Sequence, residues 1–289
     1  MDKVGYHVQE LRPGIWVIDE FSMDYIYVIE GRDQAVLLDT GTGTWDLRSE
    51  VERLVRKPYD VVITHAHMDH AGGIGQFETV HVHREDLPCF ELPEEVNPVS
   101  VYKRHQYCDR ALAAYGRDLL PFNPERLMPV DMSRITLVPY EDHTVFDLGG
   151  RTLESIQVPG HTRGSCCFLD KEDRILFTGD NFGKTLILPG PGTDRERISG
   201  WLAAAEELER RSGEFDLICS GHFCPLERSW FLDMLEGARR ILDGTLHTGI
   251  WEADELLGPM YHYGNVYFTM DPENIRTRDF FRIRDVRHY

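Results

Sequence analysis

The chain has 289 residues, 42% of them hydrophobic, which is enough for one large α/β domain with insertions or for two small domains. Its 31 lysines and arginines are outnumbered by 49 aspartates and glutamates, so the formal net charge at pH 7 is −18. This charge disfavours nucleic acid and anionic membranes as partners, because phosphate groups bind to basic patches.

No apolar stretch of the sequence approaches the length of a membrane span, and residues 1–7 lack the apolar core of a signal peptide. The six cysteines show neither a disulfide framework nor a CxxC pair. We therefore expect a cytoplasmic protein in a reducing compartment. The expected partner is a small-molecule substrate, and a homodimer is compatible with the sequence.

The chain up to residue 83 is rich in short runs of β-branched and other apolar residues. These runs predict strands at 15–18, 25–29, 35–38, 61–64 and 80–82. Residues 45–56 predict an amphipathic helix, because apolar side chains recur on one face and Pro58 follows the pattern.

Residues 84–130 differ from the rest, since prolines punctuate stretches of helical character, the longest at 101–120. We interpret this segment as a helical insertion between the two halves of the fold, lying over the mouth of the active site. Strand patterns then return at 135–138, 153–158, 166–169, 175–177 and 215–219, and helical patterns at 195–211 and 229–242. The residues after 245 mix aromatic side chains with a charged end.

The stretch with the densest set of candidate metal ligands is Thr64-His65-Ala66-His67-Met68-Asp69-His70-Ala71-Gly72-Gly73. It directly follows an apolar run, and a strand that ends in a glycine-bounded turn can direct several side chains into one pocket. Imidazole nitrogen and carboxylate oxygen together suit zinc and its neighbours in the first transition row. The stretch therefore predicts a metal site rather than a polar loop that happens to contain histidine.

Further candidate ligands occur far downstream at His161, Asp180 and His222. Each follows an apolar run and has glycine immediately before it, which is typical of a side chain displayed on a tight turn at a strand end. Together with the four residues of the first stretch they make seven ligands. That number exceeds the roughly four that one tetrahedral ion requires, and it suits two ions that share a carboxylate.

The His-x-His-x-Asp-His motif, followed in order by a histidine, an aspartate and a histidine, resembles the metallo-β-lactamase-fold hydrolase superfamily. This resemblance spans roughly residues 15–222. It implies an α/β fold, specifically an αββα sandwich with the metals at the edge between its two sheets. We expect the metallo-β-lactamase-type domain to comprise residues 1–245, with the insertion at 84–130, and residues 246–289 to form a C-terminal extension or lid.

The resemblance also implies a role for each candidate ligand. His65, His67 and His161 would hold the first metal, Asp69, His70 and His222 the second, and Asp180 would bridge the two. Two ions roughly 3.5–4 Å apart lower the pKa of a shared water and polarise the substrate oxygen. Asp69 and Asp180 would thus serve the catalytic step as well as metal binding.

Two more residues are candidates for roles near the metals. Asp39, which ends a predicted strand before Gly41, is the expected carboxylate partner for the second nitrogen of a ligating histidine, although a plain turn aspartate would look the same. His262 lies within Tyr261-His262-Tyr263, a cluster of rings after the last ligand. Such a cluster is typical of a lid or substrate wall, so we predict that His262 contacts the substrate.

The expected cofactors are two divalent metal ions, with Zn²⁺ favoured because His67 resembles the di-zinc hydrolases, and with Mn²⁺ or Fe²⁺ as alternatives. The expected reaction is hydrolysis of an ester, thioester, lactone or amide. A phosphodiesterase or phosphorylcholine-esterase-like activity stays open, since two metals serve phosphoryl oxygens equally well. An iron-dependent redox or dioxygenase protein on the same fold is the alternative of another class.

Overall fold

The computed structural model of the protein describes residues 6–21, 23–115, 123–253, 256–270 and 276–277. Within these residues, the first half of the chain builds a seven-stranded sheet in which the strands lie in chain order. They are β1 (His7–Arg12), β2 (Ile15–Glu20), β3 (Asp24–Glu30), β4 (Ala35–Leu38), β5 (Tyr59–Val62), β6 (Thr79–His83) and β7 (Thr136–Tyr140). Strands β1 to β4 pair antiparallel, and β4 to β7 pair parallel.

The parallel pairs are joined by crossovers that contain helices. The helices of this half are α1 (Leu47–Leu54), α2 (Met68–Ala71) and α3 (Val101–Tyr115), with 3₁₀-helices at Ile74–Gln76, Arg84–Glu91, Pro124–Arg126 and Met132–Arg134. The helix predicted at 101–120 is thus observed up to Tyr115, and residues 116–122 lie outside the described residues. In the described part of the chain, no helix combines the length and the apolar character needed to cross a membrane.

The second half contributes strands β8 to β14 and the long helices α4 (Asp194–Arg210) and α5 (Arg228–Asp243). The strands are β8 (Val145–Asp147), β9 (Thr152–Gln157), β10 (Cys166–Asp170), β11 (Ile175–Gly179), β12 (Thr185–Ile187), β13 (Leu217–Ser220) and β14 (Leu226–Glu227). All except β12 join a second sheet in the order β14-β13-β11-β10-β9-β8.

The two sheets pack face to face, and helices cover their outer faces. Val36, Leu38 and Val62 of the first sheet share one apolar cluster with Phe168 and Phe177 of the second. A second cluster joins the first sheet to α1, and a third joins the second sheet to α4 and α5. Every residue of β10 and β11 is buried, because both faces of these strands are covered. The predicted αββα sandwich is therefore confirmed.

The chain after α5 forms strands that the sequence analysis did not predict. They are β15 (Gly249–Ala253), β16 (Leu256–Tyr263), β17 (Val266–Thr269) and β18 (Arg276–Thr277). Strand β17 pairs parallel with β12, the strand that follows Asp180 in the chain. This pairing connects the C-terminal strands to the rest of the fold. Phe268 approaches α5 so closely that a Cβ added at Gly237 would lie 2.7 Å from its ring. The proposed boundary at residue 245 stays a prediction.

The predicted insertion is fixed to the first half of the fold by a buried arginine. Arg104 of α3 is fully buried, and its Nη1 donates to the carbonyl oxygens of Gly72, Met128 and Thr42 at 3.0, 2.9 and 3.4 Å. Gly72 lies near the end of the histidine-rich stretch, and a Cβ there would lie 2.8 Å from Arg104 Cδ. The helix α3 therefore packs directly against the loop that contains the candidate metal ligands.

Replacing Arg104 by methionine is expected to lower the free energy of unfolding by about 2–4 kcal/mol, because two buried carbonyl oxygens and a partly buried one lose a charged donor. The measurement is urea denaturation followed by circular dichroism. The matched control is Arg110→Met at an exposed position of α3, for which a change within about 0.5 kcal/mol is expected. Equal stability of the two variants would contradict the anchoring role.

Candidate metal centre

The candidate ligands reach one place because the loops that hold them follow neighbouring strand ends. The histidine-rich stretch follows β5, and Asp39 follows the adjacent parallel strand β4. In the second sheet, Asp180 follows β11 and His222 follows the parallel strand β13. The carboxyl ends of parallel strands lie at the same edge of a sheet, so these loops meet where the two sheets face each other.

The first group of possible metal ligands consists of His65, His67, His161 and Asp180, whose nitrogen and oxygen atoms lie within 4.8 Å of one another. Nε2 of His65 is 3.1 Å from Nδ1 of His67. Nε2 of His161 is 3.2 Å from Oδ2 of Asp180. Three imidazoles and one carboxylate at this spacing match the donor set of a tetrahedral zinc site.

The second group consists of Asp24, Asp69, His70 and His222, again within 4.8 Å of one another. Nε2 of His222 is 3.7 Å from Oδ2 of Asp69, and Nε2 of His70 is 4.0 Å from the same oxygen. The sequence analysis had placed three of these residues together. Asp24, at the start of β3, is an addition made by the structure.

Asp180 lies between the two groups and contacts both. Its Oδ2 is 3.2 Å from Nε2 of His161 in the first group and 3.2 Å from Nε2 of His222 in the second. Its Oδ1 is 3.3 Å from Nε2 of His70. The carboxylate of Asp180 therefore lies close to histidine nitrogens of both groups.

The histidine rings are oriented by hydrogen bonds at the nitrogen that faces away from the centre. Nδ1 of His161 lies 2.8 Å from the carbonyl oxygen of Ile187, and Nδ1 of His222 lies 2.8 Å from that of Met23. A carbonyl oxygen only accepts, so Nδ1 donates in both rings and Nε2 is directed to the centre. This is the usual arrangement of metal-binding histidines.

Asp39 extends this arrangement to the histidine-rich stretch. Its carboxylate accepts from the backbone N–H and the hydroxyl of Thr64, and its Oδ2 is 2.9 Å from Nδ1 of His70. Because the Thr64 hydroxyl donates to Asp39, its oxygen is left to accept from Nδ1 of His65 at 3.0 Å. One buried carboxylate therefore orients two imidazoles, that of His70 directly and that of His65 through Thr64.

Several buried polar atoms of the centre make no well-aligned hydrogen bond with the described residues, although some of them lie 3.2 or 3.3 Å from an oxygen of Asp180 or from a histidine nitrogen. They are Oδ1 of Asp69, Nε2 of His70, Nε2 of His161 and Oδ1 of Asp180. Buried polar atoms are normally paired, so a cluster of unpaired nitrogen and oxygen atoms requires an explanation. A divalent metal ion fits, because these atoms are the donors that such ions bind.

The electrostatics of the centre also favour a cation. Burial lowers the pKa of His67 to about 3, so its ring is neutral and able to bind metal at physiological pH. Burial would likewise lower the pKa of His70 and of His222, yet the carboxylate of Asp180 and its acidic neighbours raise both well above the usual range. The carboxylates thus stabilise positive charge at the second group.

Asp86, which the sequence analysis did not select, braces the loops of the first group. It is buried and accepts from the backbone N–H of Ala66 at 2.9 Å, between His65 and His67. It also accepts from the N–H of Gly164 and the hydroxyl of Thr162, both at 2.7 Å, just after His161. In the sequence it belongs to the charged run Arg84-Glu85-Asp86, which has the composition of a solvated turn.

The predicted insertion lies beside the centre, since Asp86, Arg104 and Tyr107 contact the loops or residues of the two groups. Whether it selects the substrate stays a prediction. His262 lies on β16, where its ring stacks on Tyr267 at 4.4 Å and its Nε2 is 2.9 Å from the carbonyl oxygen of Gly264. These contacts involve neither group, and a substrate contact of His262 stays a prediction.

A third set of possible ligands, His143, Glu154 and Glu207, lies elsewhere on the surface. Arg211 donates to Glu154 at 2.7 Å and to Glu207 at 3.1 Å. This arginine already offsets the negative charge, and it lowers the pKa of Glu154 to about 2. The cluster is therefore a surface ion-pair network.

This fold and this arrangement of histidines and aspartates define a metallo-β-lactamase-type hydrolase. A sequence profile of the metallo-β-lactamase superfamily matches residues 21–222, most of the chain, and the chain therefore belongs to that superfamily. The solved structure of a metallo-β-lactamase family protein from Thermus thermophilus superposes with a TM-score of 0.53 at 21% identity. The match covers 82% of this chain and 80% of that one.

Among characterised proteins, the chain is similar to the human acyl-coenzyme A thioesterase MBLAC2. The two are 29% identical over 240 residues, which cover 75% of this chain and 81% of the relative. The atrochrysone carboxyl ACP thioesterase dmxR1 from Cryptosporiopsis sp. is 23% identical over 188 residues, 63% of this chain and 44% of that protein. With these relatives and this superfamily, the chain is a hydrolytic enzyme.

Replacing Asp86 by alanine is expected to destabilise the protein by about 2–4 kcal/mol, because three buried donors lose a charged acceptor. Chemical denaturation of the metal-free protein measures the effect without interference from bound ions. Glu85→Ala is the matched control, since Glu85 is exposed and pairs only with the exposed Arg163 at 3.1 Å among its described ion pairs. If Glu85→Ala proved as destabilising as Asp86→Ala, the bracing role would be wrong.

Proposed function

We propose that this protein is a dinuclear metal-dependent hydrolase that cleaves a thioester of a small acyl substrate. The observation that supports it most is the position of Asp180, whose two oxygens reach imidazoles of both groups of possible ligands. A single-metal site would not require a carboxylate shared in this way. A carboxylate shared in this way suits a pair of divalent ions.

In this proposal the first ion is held by His65, His67 and His161, the second by Asp69, His70 and His222, and both by Asp180. Zn²⁺ is the proposed metal, with Mn²⁺ or Fe²⁺ as alternatives that only metal analysis decides. When bound, two such ions supply the Lewis acidity that allows water to attack a carbonyl carbon at neutral pH.

The residues of the chain orient and hold this centre. Ile187 and Met23 fix the rings of His161 and His222 through backbone carbonyl oxygens. Asp39 fixes the ring of His70, and Asp69 keeps a buried Oδ1 that makes no hydrogen bond with the described residues.

The proposed substrate class comes from the relatives. The human relative is named for an acyl-coenzyme A thioester, and the fungal relative for an acyl group on a carrier protein. The bond that these two names share is the thioester, whereas the carrier differs. We therefore propose the thioester bond and leave the carrier to experiment.

A panel of substrates tests the reaction class. The purified protein is expected to hydrolyse acyl-coenzyme A thioesters, with free thiol detected by a colour reagent, and to lose the activity after treatment with a chelator. Added Zn²⁺ or Mn²⁺ is expected to restore it. Oxygen esters, lactones, β-lactams and phosphodiesters complete the panel, and turnover confined to phosphodiesters would overturn the thioesterase assignment.

Asp180→Asn tests the shared carboxylate. The change keeps the size of the side chain but removes a charge that offsets both ions, so turnover is expected to fall by roughly 10²-fold or more. Metal content is expected to fall for both ions. The fold is expected to persist, because β11 before Asp180 is positioned by buried apolar residues.

His143→Gln is the matched control, because it changes a histidine of the surface ion-pair network and leaves the centre intact. Activity and metal content are measured for both variants beside the wild type. Near-normal turnover with two ions retained in Asp180→Asn would show that the shared carboxylate is another residue.

A further inference from the structure

Asp24 is a buried carboxylate that the superfamily motif does not include. It lies at the start of β3, is 1% exposed, and accepts a hydrogen bond at each oxygen. The hydroxyl of Tyr107, on helix α3, donates to Oδ1 at 2.9 Å. The hydroxyl of Thr42, in the loop after β4, donates to Oδ2 at 3.1 Å. These two hydroxyls hold the buried carboxylate in one orientation.

Asp24 lies beside the other residues of the second group of possible metal ligands. One of its oxygens lies within 4.8 Å of possible ligand atoms of Asp69, His70 and His222. Its Oδ1 is also 3.5 Å from Nδ1 of His222, the nitrogen that donates to the carbonyl oxygen of Met23. In that same group, Oδ1 of Asp69 and Nε2 of His70 are buried atoms that make no well-aligned hydrogen bond with the described part of the chain. These unpaired atoms are an independent sign of a cation between the residues.

We infer, on the basis of the proposed two-metal function, that Asp24 is a further carboxylate of the second metal position, oriented by Tyr107 of helix α3. Each oxygen of a carboxylate has two lone pairs, so one hydroxyl donor on each leaves capacity for a cation. The hydroxyls of Tyr107 and Thr42 then perform the task that outer hydrogen-bond partners perform for metal-binding carboxylates elsewhere.

With Asp24 as a ligand of the second position, the two metal positions are chemically different. The first has three imidazoles and the shared Asp180, a donor set rich in nitrogen. The second has two imidazoles with Asp24, Asp69 and the shared Asp180, a donor set rich in oxygen. Oxygen donors suit harder cations, so the second position should accept Mn²⁺ more readily than the first.

The same arrangement connects the predicted insertion to the second metal. Helix α3 reaches Asp24 through Tyr107, and it reaches the backbone of Thr42 through Arg104, while Thr42 itself donates to Asp24. The metal position and the helix therefore share one hydrogen-bonded unit. A substitution at Tyr107 is therefore expected to change the affinity of the second position for its metal.

The experiment compares metal binding by the full chain in five forms: wild type, Asp24→Asn, Tyr107→Phe, His70→Ala and the control Tyr102→Phe. Metal-free protein is titrated with Zn²⁺ and separately with Mn²⁺ against a chelator of known affinity, and bound ions are counted by elemental analysis. His70→Ala removes an imidazole of the second position and so defines the loss of that ion. Thermal unfolding of the metal-free proteins checks that each variant folds.

Asp24→Asn is expected to keep the first ion and to bind the second roughly 10-fold more weakly or worse, with the larger loss for Mn²⁺. Tyr107→Phe removes only the hydroxyl and is expected to weaken the second ion by about 10-fold. The matched control is Tyr102→Phe, because Tyr102 lies on the same helix but is exposed, with its hydroxyl accepting from Gln106. Its metal binding is expected to equal that of the wild type.

The outcomes separate this inference from the proposed function. Wild-type protein that binds fewer than two ions would overturn the two-metal function itself. Two ions in the wild type and unchanged affinity in Asp24→Asn and Tyr107→Phe would overturn only the role of Asp24. Equal weakening of both ions would also overturn it, because it would show a general structural role. If Asp24→Asn does not fold, Tyr107→Phe against Tyr102→Phe decides the question.

Discussion

The structure depends on the accumulation of buried negative charge at the edge between its two sheets. Asp180, Asp69, Asp39 and Asp24 all lie in or beside one centre, and each is at most slightly exposed. Such charges are tolerated inside a protein only when cations or strong donors lie close to them. The imidazoles supply part of that compensation, and the proposed metal ions supply the rest. Metal binding at the proposed site is therefore expected to add to the stability of the fold.

The sandwich provides the rigidity that this centre requires. The loops that hold the ligands are separated by many residues in sequence, yet each starts from a strand that is buried on both faces or pairs with one that is. Backbone donors and carbonyl oxygens then fix the individual rings, as Ile187 does for His161. Asp86 and Arg104 both belong to the predicted insertion, which joins β6 to β7 within the first sheet and does not lie between the two halves as expected. The two residues connect loop to loop. The insertion thereby contributes to the architecture of the centre as well as lying beside it.

Much of this could be predicted from the sequence, because the strong patterns are local. Glycine before His161, Asp180 and His222, after apolar runs, identified strand ends without any knowledge of the pairing. Asp24 and Asp86 were not predicted, because the sequence contains many acidic residues. Only tertiary contacts distinguish these two buried aspartates from solvent-exposed ones. The strands after residue 245 were not predicted for a similar reason. Their pairing with β12 joins segments about 80 residues apart, and their tyrosines and glycines do not alternate clearly with apolar residues.

The parallel pairing of β12 with β17 has a consequence for the order in which the centre is completed. The carbonyl oxygen of Ile187 orients His161, and Ile187 lies in β12, opposite Thr269 of β17. During synthesis, the histidine-rich stretch leaves the ribosome roughly 200 residues before β17 does, at an elongation rate of about 5–20 residues per second. For about ten seconds or more, by that rate, the nascent chain exposes imidazoles whose final geometry is not yet set. The residue that orients His161 is thus paired with one of the last strands to be synthesised.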